Sequence, residues 1–504
     1  MRDALSLDFY VCVRERIKMF SQPQGWFGLR EPSRAFSAIV RKDGSTVWAE
    51  DASGKTIASG EAGVDDASVI QSAIDSVANA GGGKVFIRAG TYIIPEVPDG
   101  GSAIRIKSNV EVSGERWNTL LKLADNVSLT QISNLIILEE ESCIADLSID
   151  GNKSGAPEAA NYLDCVCLPA PLARAERIYV KNSPRYGIRP LNTKAVAVIE
   201  CIGEGCHASN FMPTGLKNGI IANCISRFSE VNGISCDNIK YCDIIGNVCY
   251  ENTGAGIRIA VSSEGCSVVG NACYNNVGPG IRLDGPAYRN TISGNVCWGN
   301  TYGINIERAK YNLVSANICL RNCYGIRIHE SSYNLIEGNY VLENYEEGDP
   351  SGGNILFVGD NHYNTIKNNV VKIGEGERST ECGILISEWT PANTNNFIID
   401  NDVTNGGASF NIKDKGIDTV IKRNLGYPTE NSGTATFSGD GTTTQFSIAH
   451  GLVKAPTKVQ VTPMTADAAS DFYVTADDTN IYINYKSAPP SGTDNLKFSW
   501  YAEV

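Results

Sequence analysis

Apolar residues alternate two apart through most of the chain, the period of a β-strand whose faces differ. Between Cys242 and Asn344 the alternation falls into four near-identical segments: CDIIGNVCYENTGAGIRIA, CSVVGNACYNNVGPGIRLD, TISGNVCWGNTYGINIE and LVSANICLRNCYGIRIH. Each carries an apolar-x-x-N-x-(C/V)-x-x-N frame and then Gly-Ile-x-(Ile/Leu). The first Asn of the unit recurs at Asn247, Asn271, Asn295, Asn317 and Asn339, in steps of 24, 24, 22 and 22 residues. A fixed period of this length marks a solenoid. With no helical stretch inside the unit, it is one coil of three short strands and three turns. This predicts a right-handed parallel β-helix, with the Asn stacked as a ladder at a turn where Asn tolerates left-handed backbone. Gly233, Gly256, Gly280, Gly303 and Gly325 stack at a second turn that admits no Cβ. Cys249, Cys273, Cys297 and Cys319 share one inward position, apolar in the next coil (Val341), and read as a core stack of small soft hydrophobes.

Outside the repeats, residues 1–35 suggest a short helix and a Pro/Gly loop, either a partner-binding arm or an extension without chemistry. Residues 38–60 read as a β-meander turning at Asp43-Gly44 and Ser53-Gly54. Asp65 or Asp66 then caps a helix with Val69, Ile70, Ala73, Ile74 and Val77 on one face. The run Gly81–Gly83 ends it, and the helix is placed to cover the open edge of the first coil. After Asn344 the Asn spacing stretches to 30 and then 32 residues. The insertions are 344–353 and 372–382, each before the Gly-Ile strand of its coil. Pro428–Gly433 reads as a linker. The domains expected are 1–60, an extension and meander; 61–427, the β-helix; and 434–504, a small antiparallel β-sandwich. The fold class is all-β.

Composition narrows the function. A net charge of −13 without a basic stripe argues against nucleic acid. No apolar run reaches the length of a membrane helix. The 16 Cys include no C-x-x-C pair, and their abundance suits a reducing compartment better than an oxidising one. The first residues make a poor secretion signal.

Candidate chemistry lies on the Gly-Ile-x-Ile strand, where Ile points in and its neighbours point out. The first outward column is Arg189, Ser235, Arg258, Arg282, Asn305, Arg327, Leu356 and Leu385. The second is Leu191, Asp237, Ala260, Asp284, Glu307, His329, Val358 and Ser387. Asp284 and Glu307, one coil apart, suit retaining glycoside hydrolysis; Asp237 with either suits inversion. Stacked carboxylates should raise one pKa and supply the acid. Alternatively Arg or His removes a uronate C5 proton while Arg258, Arg282 and Arg327 neutralise the substrate carboxylate. In a third reading the column is cross-coil ion pairing alone. Asn305 and Trp389 complete the substrate-binding candidates, Trp389 as a subsite platform. Tyr311, Tyr333 and Tyr363 read as a turn ladder.

The stretch GVDDASVIQSAIDSVANAGGGKVFIRAGTYII, followed by SAIRIKSNVEVSGE, resembles the entry to the pectate-lyase-like β-helix superfamily. GIRIHESSYNLIEGNYVLEN resembles its NosD-like coil. Together these cover roughly 60–425. Residues 434–504 resemble terminal modules of phage and viral tail fibres. The polygalacturonase run of Asn-Thr-Asp, Asp-Asp and Gly-His-Gly is absent, as is the Asp-Pro-His motif of mannuronan epimerases. The resemblance implies an extracellular or virion-associated protein that cleaves an acidic polysaccharide by hydrolysis or elimination. Asp284, Glu307, Asp237 and His329 would be its catalytic groups. Ca²⁺ is compatible with a lyase, no metal site is readable, and a homotrimer is the assembly such fibres suggest. The competing class is a fibre protein that binds glycan without turning it over.

Overall fold

The computed structural model describes residues 36–345, 353–374, 380–388 and 392–504. The expectations for residues 1–35, for the tips of both insertions and for Trp389 lie outside the described residues. The chain divides into two compact units, Met1–Ser331 and Ser332–Val504. The division falls inside the repeats rather than near 427. In a solenoid each coil touches only its neighbours, so a boundary between any two coils is available.

In the first unit the meander forms as read: Ala38–Asp43 pairs antiparallel with Thr46–Asp51, which pairs with Thr56–Glu61. The same first strand pairs in parallel with Gly83–Ile87. The meander, not the helix, therefore takes the backbone edge of the first coil. Helix α1, Asp66–Asn79, buries the predicted stripe of Val69, Ile70, Ala73, Ile74 and Val77. Asp65 stands at the N-cap, but neither aspartate makes a side-chain capping bond. Asp65 accepts the Glu61 amide at 2.8 Å, and Asp66, fully buried, accepts the Ile93 amide at 2.6 Å and pairs with Lys42 at 2.7 Å. The two carboxylates tie the helix start to the preceding loop and the following strand.

The coils that follow are right-handed parallel β-helix, three stacks of short strands in register. In the coil ending at Asp284, the strands are Ser267–Val269, Ala272–Tyr274 and Ile281–Asp284. Each pairs in parallel with its counterpart a coil away. Cys249, Cys273, Cys297 and Cys319 are opposite one another and fully buried. The asparagine ladder is inside the turn rather than in left-handed backbone. Left-handed backbone falls one residue earlier, at Gly246, Gly270, Gly294 and Ala316. Each Asn side chain instead bonds the next: Asn247 Nδ2 donates to Asn271 Oδ1 at 3.0 Å, Asn271 to Asn295 at 2.9 Å and Asn295 to Asn317 at 2.9 Å. A second ladder runs Asn252, Asn276, Asn300, Asn322. The stacked glycines are needed for space: a Cβ on Gly280 would stand 2.8 Å from the Gly303 carbonyl oxygen.

In the second unit, Leu335–Glu337, Thr365–Lys367, Phe397–Ile399 and Val420–Lys422 continue the parallel stacking among themselves. Two antiparallel three-stranded sheets then form the sandwich. Its core holds Phe446, Ile481, Ile483, Leu496, Phe498 and Trp500. The strand Glu430–Gly439 already pairs from Glu430, so Glu430–Gly433 belong to the sandwich and not to a linker. Partners for their amides on Gly492–Glu503 outweigh the turn-like composition.

Asn295 makes four side-chain hydrogen bonds, to the Asn271 amide and side chain, the Val268 carbonyl and Asn317. Asn295→Leu is expected to lower stability by about 3 kcal/mol or more, since it orphans buried backbone and side-chain groups. Cys297→Ala, which removes one buried sulfur, is expected to cost about 1–2 kcal/mol. Urea unfolding of both variants checks the ranking.

Candidate functional site

The third strands of five consecutive coils, Ile234–Asp237, Ile257–Ala260, Ile281–Asp284, Tyr302–Glu307 and Tyr324–His329, form one parallel stack. Their isoleucines and Leu283 fill the core, which turns the alternate residues outward. Ser235, Arg258, Arg282, Asn305 and Arg327 lie opposite one another in sequence, and so do Asp284, Glu307 and His329. The less regular coil below is Phe211 and Thr214, bridging Ile188 to Ile234 and Leu191 to Asp237.

The two columns interlock. Arg258 donates to Asp237 at 2.9 Å and, from two nitrogens, to Asp284 at 2.9 and 3.1 Å. Arg282 meets Glu307 at 2.9 Å and Asp284 at 3.5 Å. Arg308, which the sequence reading did not single out, reaches Glu307 at 3.2 Å and Asp284 at 3.6 Å. Each carboxylate thus faces guanidinium before it faces another carboxylate. The stacked carboxylates expected from the sequence are therefore interleaved with guanidinium rather than set against one another alone. Asn305 is buried; its side chain donates to Glu307 at 3.3 Å and accepts from Arg327 at 3.4 Å.

The top of the column differs. Arg327 lies over the Tyr302 ring at 5.4 Å and, among the described residues, has no carboxylate partner. Tyr302 in turn stacks on Tyr324 with centroids 5.2 Å apart. His329 Nδ1 is buried without a hydrogen-bond partner, 3.7 Å from Glu307, beyond hydrogen-bond length. Its Nε2 is 3.6 Å from Glu330. Burial, then the Arg327 charge, hold the imidazole pKa below its ordinary value, against the pull of Glu330 and Glu307. His329 is thus an imidazole biased toward its neutral form, beside a guanidinium that no carboxylate among the described residues pairs with.

Trp298 stands on the second strand stack, 6.5 Å from Tyr274, and does not join this face. Tyr333 and Tyr363 stack at 5.0 Å, as a turn ladder should. The reading also missed Asp164, a buried carboxylate on an earlier third strand that pairs with Arg189 at 3.1 Å and Arg185 at 3.6 Å. Its isolated position outside the clear repeats gave no periodic signal. Among the described residues no group of three or more His, Cys, Asp or Glu side chains is placed to hold a metal ion.

The model of the family described as periplasmic copper-binding protein (NosD) matches residues 145–286 and 258–406, together more than half of the chain. The residues described here do not fit the copper of that description: the stacked thiols are sealed in the core. Mannuronan C5-epimerase AlgE3 of Azotobacter vinelandii is 27% identical over 39% of this chain and 12% of that protein. Alginate lyase 7 of the same organism is 32% identical over 26% of this chain and 17% of that protein. The matched stretches are thus a small part of those relatives' length. The solved A-module of mannuronan C-5 epimerase AlgE6 from Azotobacter vinelandii superposes with a TM-score of 0.55 at 17% identity, covering 73% of this chain and 97% of that one.

Arg258→Gln leaves Asp237 and Asp284 without their shared cation. We expect a loss of about 1–2 kcal/mol in urea unfolding, partly restored by adding Asp284→Asn, with a coupling of about 1 kcal/mol. Additive effects would mean that the pairs contribute nothing to the stack.

Proposed function

The chain belongs to the NosD family of parallel β-helix proteins, and we propose that within this fold it modifies an acidic polysaccharide by removing the C5 proton of a uronate residue. The observation that supports this is the adjacency of His329, with an unpartnered buried Nδ1, and Arg327, a guanidinium without a carboxylate partner among the described residues. The proton next to a carboxylate is removable when the carboxylate's charge is neutralised, and guanidinium matches that group in shape and charge. In the proposed step Arg327 takes the sugar carboxylate and His329 the C5 proton; the C–H electron pair passes into the carboxylate. Collapse of that anion breaks the C4–O bond, and the imidazolium returns its proton to the leaving oxygen. The products are an unsaturated uronate and a new end. One imidazole is enough for this elimination. Epimerisation would need a second donor on the far face of the ring. Asp284 and Glu307, both held by arginine, support the column and are less suited to hydrolysis. Similarity to epimerases and an alginate lyase is in keeping with an acidic substrate.

Binding without turnover is the second reading, favoured by the closed ladder Asp237–Arg258–Asp284. On that reading the protein works outside the cytoplasm as a trimeric fibre, and sedimentation at three times the chain mass in ultracentrifugation is the expected result.

The test is incubation with mannuronan, alginate, pectate and neutral glycans, following unsaturated uronate absorbance and reducing ends together. Turnover with both signals is expected, and His329→Gln should lower kcat/KM by about 100-fold or more. Reducing ends without unsaturation would indicate hydrolysis. Saturable binding without either signal would shift the assignment to a fibre.

The pH dependence has a definite sign. Because the imidazole pKa is lowered in the fold, the base is competent at neutral pH and kcat/KM should be flat there. The acid limb should lie below the ordinary imidazole value of about 6.5. The stability linked to this residue follows the same direction: it is present above the unfolded pKa and lost as pH falls. A profile unchanged in His329→Gln would remove the histidine from the reaction.

A further inference from the structure

Three coils below Arg258 on the same outward face, charge is distributed in a way that one-to-one pairing does not explain. Asp164 lies in the strand Leu163–Leu168, which pairs in parallel with Ile188–Pro190 and sets Cys167 opposite Arg189. The Asp164 side chain is 1% exposed, and Arg185 and Arg189 close on it with 11% and 13% of their side chains exposed. Both guanidiniums lie over the Tyr186 ring, at 4.6 and 5.1 Å from its centroid. That contact offsets part of the cost of desolvating them. Among the described residues Asp164 is the one carboxylate that pairs with either arginine. Two cations therefore share a single anion in a largely buried setting.

Three polar atoms of this cluster are buried without a hydrogen-bond partner among the described residues: Asp164 Oδ1, Arg185 Nη1 and Arg189 Nε. Buried donors and charges left unanswered are costly, and native structures rarely hold several together without a reason. Burial pushes the Asp164 carboxyl up while the two guanidiniums oppose it. Any protonation of that acid enlarges the positive surplus. One coil further, Ala208 bonds the Arg185 carbonyl.

We propose that Arg185 and Arg189, braced by Asp164 and Tyr186, form a second carboxylate-binding subsite that takes an acidic sugar residue of the same polymer. The proposal deepens the reading above, in that the ligand class is the one argued there. From Arg189 to Arg327 is six coil steps, about 29 Å at ~4.8 Å each. One extended chain lying along the face would engage both sites. The surplus guanidinium would anchor the chain away from the reacting residue, where binding without chemistry is useful.

The experiment is calorimetric titration of tetramannuronate in an Arg327→Gln background, so that the first site does not contribute. Mannotetraose and inorganic sulfate serve as comparators. Arg189→Gln, which leaves Asp164 paired with Arg185, should loosen tetramannuronate at least tenfold, about 1.4 kcal/mol. Asp164→Asn removes the competing internal anion and should tighten it several-fold, even if urea shows the variant to be less stable. A purely structural triad would lose stability in Asp164→Asn with affinity unchanged, and that result would overturn the proposal. Equal binding of mannotetraose, or full competition by sulfate at equal concentration, would do the same. None of these readouts requires turnover, so a failure of the lyase assignment leaves the binding result interpretable.

Discussion

Adjacent coils hydrogen-bond residue for residue, Arg282 opposite Asn305 and Glu307 opposite His329, and the inward asparagines hold that register. A slip of one residue would turn every isoleucine of the third strand out and every charge in. The Asn side chains resist this because each spans two coils and is fully bonded only in one register. Where Asn271 accepts from Asn247 it also caps the Asn247 amide, at 2.8 Å. The lateral position of each outward group is therefore set to within a side-chain rotamer, on a scaffold that has no need of loops to place it.

That rigidity has an electrostatic consequence. A column with a fixed repeat near 4.8 Å would stack like charge on like charge if the sequence repeated faithfully. It does not. Acid and base are offset between the two outward columns, so that Arg258 sits diagonally between Asp237 and Asp284, and Arg282 between Asp284 and Glu307. These pairs are only partly exposed, in a setting where Coulombic attraction is stronger than at an open surface. They remove the repulsion that the register would otherwise impose. Asp284 and Glu307, the carboxylates singled out in the sequence, take part in these pairs.

Periodicity carried most of the fold. The Asn, Gly and Cys spacing located the strands, the inward stacks and both outward columns, because in a solenoid sequence distance converts directly into spatial distance. What periodicity could not carry was the direction in which long side chains reach. Nothing in the spacing of Arg258 or Arg308 says that each would lean toward an acid a coil away. The same limit hid Asp164, whose partners Arg185 and Arg189 come from the next coil of an irregular region. The left-handed residues were misplaced by one, since Asn and the residue before it both suit a turn; burial of the amide ladder decides between them. The linker reading failed at Glu430 because strand pairing with Gly492–Glu503 depends on residues about seventy positions away.

Charge counting along the outward face separates support from chemistry. Where acids and guanidiniums balance in number, as from Asp237 to Glu307, the charges are paired and a ligand must break a pair to enter. Where they do not balance, at Arg327 and again at Arg185 and Arg189, positive charge is left partly unanswered among the described residues. Leaving a cation in that state is unfavourable for folding alone. It becomes useful if the missing anion arrives from outside, because the desolvation has been met during folding and only the attraction remains to be gained on binding. An acidic polymer supplies such anions at regular intervals, and a β-helix presents its sites at regular intervals. The acidic polymer proposed above would therefore gain most at the places where the face carries unpaired cations.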